Sequence, residues 1–460
     1  MSKVDVLFIN PRDLSVPIPY IKNTTLAAVL LENGYQCEII EPAAESKSLN
    51  AILDYIKTKN PLIVCVSIFP STLPDGYKTI SAIKSNFPSI SIVVEGYMIN
   101  ADKNVVLQTN ADFGVFGDCE YTFLELTNYL YKKCDLDLKA IDGLVINQNG
   151  SLVVNKPAFI KDLNNLPVPA FHLLPIGRYY TASSNKCFMI MYTDRGCPYD
   201  CNFCANPTQK RYRFLSTDNV IKHIKVLVED LGVEYLEFMD LTFTINKRRT
   251  IDICRGILSA NLKFEWACET RADLLDLELL EIMKLAGCYK ITIGVESGNA
   301  AIRYSTGKKI DDQTFLKIFD LCKQVGIKTM ANFIFGHKEE TVSSIFDTIY
   351  FSLKLNPYNV LYTKMIPLPD VDLFFDLVKQ GEVNLTLWYQ YMKEEVSFPV
   401  YYPKSVGFFK MELLYRLAYV IFYFRLSSIF KYSKMFSSPR FAYLSIGVVL
   451  RFIFGKTIYK

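Results

Sequence analysis

The sequence lacks several features that would assign the chain to a common class. It contains no run of about 18 apolar residues, so an ordinary membrane-spanning helix is not expected. The phosphate-binding loop of P-loop NTPases and the GxGxxG dinucleotide fingerprint are both absent. A net charge of +4 over 460 residues is weak evidence for nucleic-acid binding. We therefore expect no nucleic-acid partner.

Histidine is scarce, with three residues in the whole chain, whereas cysteine is plentiful, with twelve. The N-terminal segment "MSKVDVLFIN" has the pattern of a strand and not of a signal peptide. We therefore expect a cytoplasmic protein in a reducing compartment. Cysteines in that setting are expected to be thiols or metal ligands rather than disulfides.

The first 140 residues alternate short apolar runs with amphipathic stretches. Five runs are predicted to be strands: "VDVLFIN" (4–10), "CEII" (37–40), "LIVCVSI" (62–68), "ISIVVEG" (90–96) and "ADFGVFG" (111–117). Such alternation is typical of an α/β domain with a parallel sheet between helices. Ligands of these sheets bind beyond the C-terminal strand ends. Residues 141–186 follow as a hairpin, which turns near Asn149-Gly150, and a proline-rich linker.

A second strand–helix series occupies residues 187–370. Its predicted strands are 187–193, 234–240, 263–268, 290–295, 327–334 and 359–366. Six such units are too few to close an eight-stranded barrel, so we expect an open, partial (β/α)6 barrel whose active site lies at the C-terminal strand ends. Residues 371–460 lack strand alternation and are predicted to be helical, including 411–426 and 441–455.

The segment "TDRGCPYDCNFCANP" (193–207) brings together Cys197, Cys201 and Cys204. A structural zinc site takes four protein ligands, often two CxxC pairs, and only one such pair is present. A disulfide with a spare thiol suits a cytoplasmic chain poorly, and chance clustering of structural cysteines is a further alternative. An iron–sulfur cluster fits better, because thiolates hold such clusters on short spacings. Three thiolates leave one iron of a [4Fe–4S] cube open, as a catalytic site requires.

The CxxxCxxC spacing, with Phe203 before the last cysteine, resembles the signature of the radical S-adenosylmethionine (SAM) superfamily. Four further segments match that family in order and spacing: "YLEFMDLTFT" (235–244), "WACETRADLLDLELLEIMKLAGC" (266–288), "IGVESGN" (293–299) and "NFIFGHKEET" (332–341). The resemblance implies that the three cysteines bind a [4Fe–4S] cluster whose open iron chelates SAM. Reductive cleavage of SAM would then give methionine and a 5′-deoxyadenosyl radical.

The same resemblance implies SAM-binding residues at other strand ends. Phe203 is expected against the adenine, Glu296 at the ribose or amino group, and Gly336 where the backbone approaches SAM. Asp240 and Arg271 are predicted to contact SAM or the substrate. For Arg271, a purely structural salt bridge is the open alternative.

Residues 1–140 resemble the cobalamin (B12)-binding domain that precedes the barrel in one large subgroup, on the segments "LAAVLLENGYQCEII" (26–40) and "FGVFGDCEYTFLEL" (113–126). This implies a flavodoxin-like, doubly wound sheet with cobalamin at its C-terminal strand ends. Four candidate contacts lie there: Ser67, Thr72, Gly96 and Gly117. The Asp-x-His-x-x-Gly motif that supplies a histidine to cobalt in other cobalamin proteins is absent. Cobalamin is therefore expected to bind without a histidine ligand.

The sequence thus predicts an enzyme that uses SAM, a [4Fe–4S] cluster and cobalamin to functionalise an unactivated carbon. Methyl transfer is the favoured outcome; rearrangement, cyclisation or C–C coupling without methylation is one alternative, and a non-enzymatic metal-binding protein is another. The expected partners are a small-molecule or lipid-like substrate and a one-electron reductant such as flavodoxin or ferredoxin.

The C-terminal residues 407–460 stand apart by charge. They contain nine basic residues and a single acid, Glu412, and so carry a net charge of +8, whereas the rest of the chain carries −4. Basic, aromatic helices of this kind are typical of peripheral contact with a membrane surface. The alternative is a helical cap that folds on the barrel.

Replacing Cys197, Cys201 or Cys204 by alanine is expected to abolish SAM cleavage, because each change removes a cluster thiolate. Cobalamin binding should remain largely intact, since these residues lie in a different domain. Anaerobic reconstitution followed by chromatographic assay of 5′-deoxyadenosine measures the first, and a cobalamin absorption titration the second. Undiminished SAM cleavage in any of the three variants would contradict the assignment.

Overall fold

The computed structural model describes residues 4–11, 17–181, 184–205 and 211–425, and the structural statements below concern these residues. The helix predicted at 441–455 lies outside them. No helix in the described ranges is both long and apolar enough to cross a membrane.

The N-terminal domain is built on one seven-stranded sheet. Its elements are β1 (Val6–Ile9), α1 (Lys22–Glu32), β2 (Cys37–Ile40), α2 (Pro42–Glu45), α3 (Leu49–Lys59), β3 (Ile63–Ser67), α4 (Leu73–Asn86), β4 (Ser91–Glu95), α5 (Tyr97–Ala101), α6 (Val105–Thr109), β5 (Phe113–Val115), α7 (Glu120–Leu130), β6 (Leu144–Gln148) and β7 (Ser151–Val154).

The strand order of this sheet is β2-β1-β3-β4-β5-β6-β7. The first five strands are parallel, in the flavodoxin-like order, and every residue of β1 and β3 is buried. Burial on both faces explains why these strands appear in the sequence as continuous apolar runs. The hairpin β6–β7 adds two antiparallel strands at the edge beside β5, so it extends the first sheet.

The second domain is an open barrel of parallel strands. Its elements are β8 (Phe188–Met191), β9 (Asp194–Arg195), β10 (Arg213–Phe214), α8 (Thr217–Lys225), β11 (Tyr235–Phe238), α9 (Lys247–Ser259), β12 (Glu265–Thr270), α10 (Leu277–Leu285), β13 (Cys288–Glu296), α11 (Ala300–Ser305), α12 (Asp312–Val325), β14 (Lys328–Phe335), α13 (Val342–Leu355) and β15 (Asn359–Lys364). The order β15-β14-β13-β12-β11-β8 confirms the predicted six-stranded partial barrel. The short strands β9 and β10 pair separately.

The C-terminal region packs on both domains. It contains α14 (Asp372–Lys379), α15 (Leu387–Met392) and α16 (Phe408–Tyr423). Phe374 of α14 and Trp388 of α15 share a buried cluster with the N-terminal sheet. In α16, the hydroxyls of Tyr419 and Tyr423 donate to the β15 carbonyls of Tyr362 and Val360, each at 2.9 Å, and accept from the same residues' amides at 3.1 Å. These bonds cover the open edge of the barrel sheet, which would otherwise expose unpaired backbone groups.

Candidate functional site

The cysteines lie on a loop that begins after β8, at the C-terminal end of the barrel. The two-stranded ladder of β9 and β10 closes the base of this loop, with Asp194 opposite Phe214 and Arg195 opposite Arg213. Gly196 follows with a φ of +89°, a left-handed conformation that glycine adopts without strain. The chain can therefore turn sharply just before Cys197.

Asp240, at the end of β11, positions the strand that leads into the cysteine loop. Its Oδ1 accepts hydrogen bonds from the backbone amides of Thr193, at 2.6 Å, and Asp194, at 3.0 Å, and its Oδ2 accepts from the Thr193 hydroxyl. The side chain is buried, and burial raises its pKa against the opposing effect of these bonds. These contacts give Asp240 a positioning role, and its direct contact with SAM or substrate stays a prediction from the sequence.

The loop is braced from the opposite side by the turn after α11. The amide and side-chain nitrogens of Asn202 donate to the carbonyls of Thr306 and Ser305, each at 3.2 Å. Gly307 has a φ of +85°, and a Cβ on it would lie 2.5 Å from the Asp200 carbonyl oxygen. Only glycine permits this approach. Sequence reasoning missed Gly307 because its partner is more than 100 residues away along the chain.

The three thiols share this loop without forming a ready-made metal centre. Among the described residues, no three His, Cys, Asp or Glu side chains are gathered closely enough to hold a metal ion. Cys197 is buried, with its Sγ 3.8 Å from the Thr242 hydroxyl, and Cys201 and Cys204 are partly exposed. The donor set nevertheless fits a thiolate-bound cluster, because three thiols lie on one short loop at the strand ends.

Two cations near Cys201 oppose the effect of burial on its thiol. Burial raises the pKa of the Cys201 thiol, and the charges of Lys308 and Arg271 oppose that rise. Arg271 forms a two-bond ion pair with Asp273, at 3.0 and 2.8 Å, and its guanidinium lies 3.8 Å from the centre of the Tyr199 ring. Since Tyr199 belongs to the cysteine loop, Arg271 holds the loop as well as supplying charge.

Glu296 ends β13 with a φ of +67°, which is uncommon for a residue other than glycine. Its Oε1 lies 2.7 Å from the ammonium of Lys308, and both side chains are buried. A Cβ on Gly294 would lie 2.3 Å from Glu296 Oε1 and 2.6 Å from Lys308 Nζ. A side chain at position 294 would therefore displace the ends of both side chains, and the ion pair engages one carboxylate oxygen of Glu296, the residue that the sequence predicted to contact SAM. Lys308 was not predicted, since nothing local marks it.

Phe203 of the cysteine loop and Gly336, which follows β14, both lie beside Met365 and Tyr401. Phe203 packs against the cluster of Met365, Leu377 and Tyr401 and meets the ring of His337 edge-on, at 6.2 Å between ring centres. Gly336 has a φ of +102°, and a Cβ there would lie 3.0 Å from the Tyr401 carbonyl oxygen. The predicted approach of the Gly336 backbone to SAM thus coincides with a close approach to the C-terminal region.

Glu340 is a buried carboxylate that sequence reasoning missed. Its Oε2 accepts hydrogen bonds from the amides of Gly336 and His337, the latter at 3.3 Å, while Oε1 has no partner. Burial raises its pKa to about 7. A Glu three residues beyond a buried "GH" turn could have indicated a carboxylate that caps the turn.

A cavity of about 360 Å³ separates the C-terminal strand ends of the two domains. From the N-terminal domain it is lined by residues that follow β3, β4 and β5, among them Phe69, Gly96 and Gly117. From the barrel it is lined by Met191 through Gly196 and by Met239 and Leu241. The linker adds apolar residues, namely Leu163, Leu166, Pro167, Pro169 and Phe171. The cavity therefore lies beside the base of the cysteine loop.

The structure brings two of the four candidate cobalamin contacts to this cavity. Cβ atoms on Gly96 (φ +106°) and Gly117 (φ +75°) would lie 2.7 Å from the Ile68 carbonyl oxygen and 2.5 Å from the Ala158 carbonyl oxygen. Ser67 and Thr72 do not line the cavity. Ser67 is buried and accepts from Asn23 at 3.0 Å, and Thr72 accepts from the Phe69 amide at 3.3 Å. The contacts of Ser67 and Thr72 thus support the shape of the segment that follows β3.

One residue of the cavity wall that was not predicted is a histidine, His223 of α8. Burial lowers its pKa to about 4, so its ring is neutral at pH 7. The sequence offered no signal for this position, because α8 belongs to the barrel and not to the domain that resembles a cobalamin-binding fold.

Comparison with known proteins agrees with this geometry. Residues 191–351 match the model of the radical SAM superfamily, and residues 18–127 match that of the B12 binding domain. The chain is 30% identical to an uncharacterized methyltransferase of Pyrococcus horikoshii, over 86% of each chain. It is 27% identical to an anaerobic magnesium-protoporphyrin IX monomethyl ester cyclase of Rubrivivax gelatinosus, over 82% of this chain and 71% of the cyclase.

A solved structure with a similar fold is the radical SAM methyltransferase TsrM of Kitasatospora setae, with cobalamin and a [4Fe–4S] cluster bound. The TM-score is 0.75 over 91% of each chain, at 15% identity. The similarity covers both domains. It confirms the predicted fold, in which a flavodoxin-like domain is followed by a partial barrel.

Replacing Glu340 by glutamine is expected to make stability less dependent on pH. The pKa of Glu340 is about 7 in the folded protein, against a usual 4.5, so the folded state keeps a proton that the unfolded chain releases. Its contribution therefore falls as pH rises from 4.5 to 7, by up to about 3 kcal/mol. Urea unfolding at about pH 5 and about pH 8 measures the difference. The exposed neighbour Glu339→Gln is the control, and equal pH dependence in E340Q and wild type would contradict the prediction.

Proposed function

Because this chain belongs to the radical SAM superfamily and carries a B12-binding domain, we propose that it transfers a methyl group to an unactivated carbon of a small molecule. It is a radical SAM enzyme, and the cofactors implied by the sequence, a [4Fe–4S] cluster, SAM and cobalamin, are confirmed by these matches. Methylation as the outcome is the part that we propose.

The observation that carries the proposal is the position of the cavity. It lies where the C-terminal strand ends of both domains meet, and Arg195 and Gly196, just before Cys197, form part of its wall. A methyl carrier held by Gly96 and Gly117 and a radical generator held by the cysteine loop would thus reach one substrate from two sides. Methyl transfer needs this convergence, because the carbon must be activated and methylated in one place.

When bound, SAM at the cluster supplies a carbon-centred radical and cobalamin supplies a methyl group. The protein's own residues hold and shield these groups. Cys197, Cys201 and Cys204 would ligate three irons, and the positive charges of Lys308 and Arg271 would stabilise the anionic thiolates. Phe203 and Gly336 would form the wall beside SAM, next to the buried hydrophobic residues Met365, Leu377 and Tyr401.

The walls of the cavity favour a largely apolar substrate. The linker contributes Leu, Pro and Phe, and the barrel contributes Met191, Met239 and Leu241 beside the polar residues Thr193, Asp194 and Arg195. We infer a small-molecule or lipid-like substrate, with a flavodoxin or ferredoxin as the one-electron reductant. Similarity to the cyclase supports a second outcome, ring closure without methylation, on the same scaffold.

Incubation with SAM carrying an isotopically labelled methyl group distinguishes the two outcomes. The assay uses cell extract from which small molecules have been removed. Candidate apolar substrates are then added to it one at a time. We expect a product heavier by one labelled methyl group, detected by mass spectrometry, and no such product with Cys201→Ala. A product that forms only with active enzyme and lacks the label would overturn methylation in favour of cyclisation or rearrangement.

We also propose peripheral contact with a membrane through residues 407–460. One side of α16 exposes Phe409, Leu413 and Val420, and Phe424 continues the stripe after its last turn; Phe409 is 86% exposed. These positions recur at helical spacing, so they form one apolar face. Beyond Arg425 the sequence adds six basic residues and no acid. Apolar side chains beside excess positive charge suit an anionic bilayer surface.

Vesicle cosedimentation tests this contact. The full chain is expected to bind vesicles of phosphatidylcholine with phosphatidylglycerol, and to bind them several-fold more weakly when Phe409 and Leu413 are both replaced by aspartate. Leu285→Asp is the matched control, since Leu285 is 71% exposed on α10, away from this face. Equal binding by the double variant and wild type, or no preference for the anionic lipid, would refute the proposal.

A further inference from the structure

A cluster of ion pairs joins the base of the cysteine loop to the N-terminal domain. It consists of Lys22, Asp118, Glu120, Arg195 and Arg213, and we call it the interdomain ion cluster. Arg195 of β9 and Arg213 of β10 are register partners in the ladder that closes the loop. Both arginines contact the same carboxylate, Asp118, which follows β5 of the other domain.

The contacts are short and buried. Arg195 Nη1 lies 2.8 Å from Asp118 Oδ1, and Arg195 Nη2 lies 2.6 Å from Glu120 Oε1. Lys22 completes the pairing of Glu120 at 2.5 Å. The side chains of Asp118 and Glu120 are 1% and 0% exposed. Asp118 also accepts from the Ile160 amide at 2.9 Å, so its position is fixed from three directions.

Electrostatics keep both carboxylates charged. Burial alone would raise the pKa of Glu120, but Arg195 and Lys22 outweigh it and hold the pKa well below its usual value. The pKa of Asp118 is lowered in the same way, by Arg195 and Arg213 against burial. A buried carboxylate that loses its cation is strongly destabilised, so the loop after β5 and the base of the cysteine loop must move together.

The loop after β5 has a second face. Gly117, Asp118 and Cys119 line the interdomain cavity, and Gly117 approaches the Ala158 carbonyl closely. Arg195 and Gly196 line the same cavity from the barrel side. One short segment, residues 117–120, thus contacts both the proposed cobalamin site and the arginine that lies two residues before the first cluster cysteine.

We propose that the interdomain ion cluster couples the two cofactor sites, with Arg195 as the positioning residue. An iron–sulfur cluster bound at the cysteine loop then tightens the binding of cobalamin. This inference rests on the proposed function of the cavity and the loop. Coupling of this kind is reciprocal, so bound cobalamin must increase the affinity of the protein for the iron–sulfur cluster by the same factor.

The test compares cobalamin dissociation constants of cluster-free and cluster-reconstituted protein, measured anaerobically by absorption titration of the full chain. For wild type we expect about tenfold tighter binding after reconstitution, within the usual range of coupling between sites. Arg195→Gln and Glu120→Gln should each bind both cofactors with that ratio clearly reduced, and not abolished, because Arg213 still pairs with Asp118. Neither change leaves a carboxylate without a cation, because Arg213 and Lys22 remain, so both variants are expected to fold.

Lys84→Gln is the matched control. It breaks a 2.5 Å ion pair with Asp112, at the other end of β5 and away from the cavity, and should keep the wild-type ratio. A second readout is the rate of iron loss to a chelator, which cobalamin should slow in wild type and K84Q and should slow clearly less in R195Q. A ratio of one in wild type, or a wild-type ratio in R195Q and E120Q, would overturn the coupling while leaving the proposed function intact. Failure of wild type to bind either cofactor would overturn both.

Discussion

The pairing of Arg195 with Asp118 and Glu120 is the interaction on which the arrangement of the two candidate cofactor sites depends. Parallel strands end at one edge of their sheet, so each domain offers a single edge of loops for binding. Apolar packing between two such edges would tolerate sliding, whereas a two-carboxylate contact with one guanidinium fixes both distance and direction. The cavity between the domains is thereby held beside the cysteine loop.

The cysteine loop itself is shaped by buried polar groups rather than by an apolar core of its own. Asp240 accepts a hydrogen bond from the Thr193 amide, and the Arg271 guanidinium lies over the Tyr199 ring. Lys308 forms an ion pair with Glu296. Each buried charge costs desolvation energy and is tolerated only because a cation, a backbone amide or a hydroxyl compensates it. A loop held in this way is positioned on three sides while its thiols stay available to ligate a metal.

The sequence predicted the strands well where burial leaves a mark on the pattern. Segments such as 62–68 and 90–96 coincide with β3 and β4 to within one residue at each end, because strands covered on both faces are continuously apolar. A helical cap on the barrel was one of two alternatives that the sequence offered for the C-terminal region, but the contacts of α14, α15 and α16 could not be predicted. Their amphipathic pattern shows that each has a face to bury, but not that Trp388 joins the N-terminal core or that Tyr419 and Tyr423 cover the edge of β15.

In the candidate site, too, some features could be predicted from the sequence and others only from the structure. The spacing of Cys197, Cys201 and Cys204 is local, so the sequence by itself determined the family and the cofactors that the family uses, and it predicted these three residues as the cluster ligands. Only the tertiary structure decided that Gly96 and Gly117 line the cavity while Ser67 and Thr72 brace its loops, and that Lys308, Glu340 and Asp118 belong to the site. Some of these contacts join residues far apart in the chain, as Asp118 and Arg195 are, whereas Glu340 lies only four residues from the Gly336 amide. Their energies depend on burial and on a partner's position, and neither is written in the local pattern.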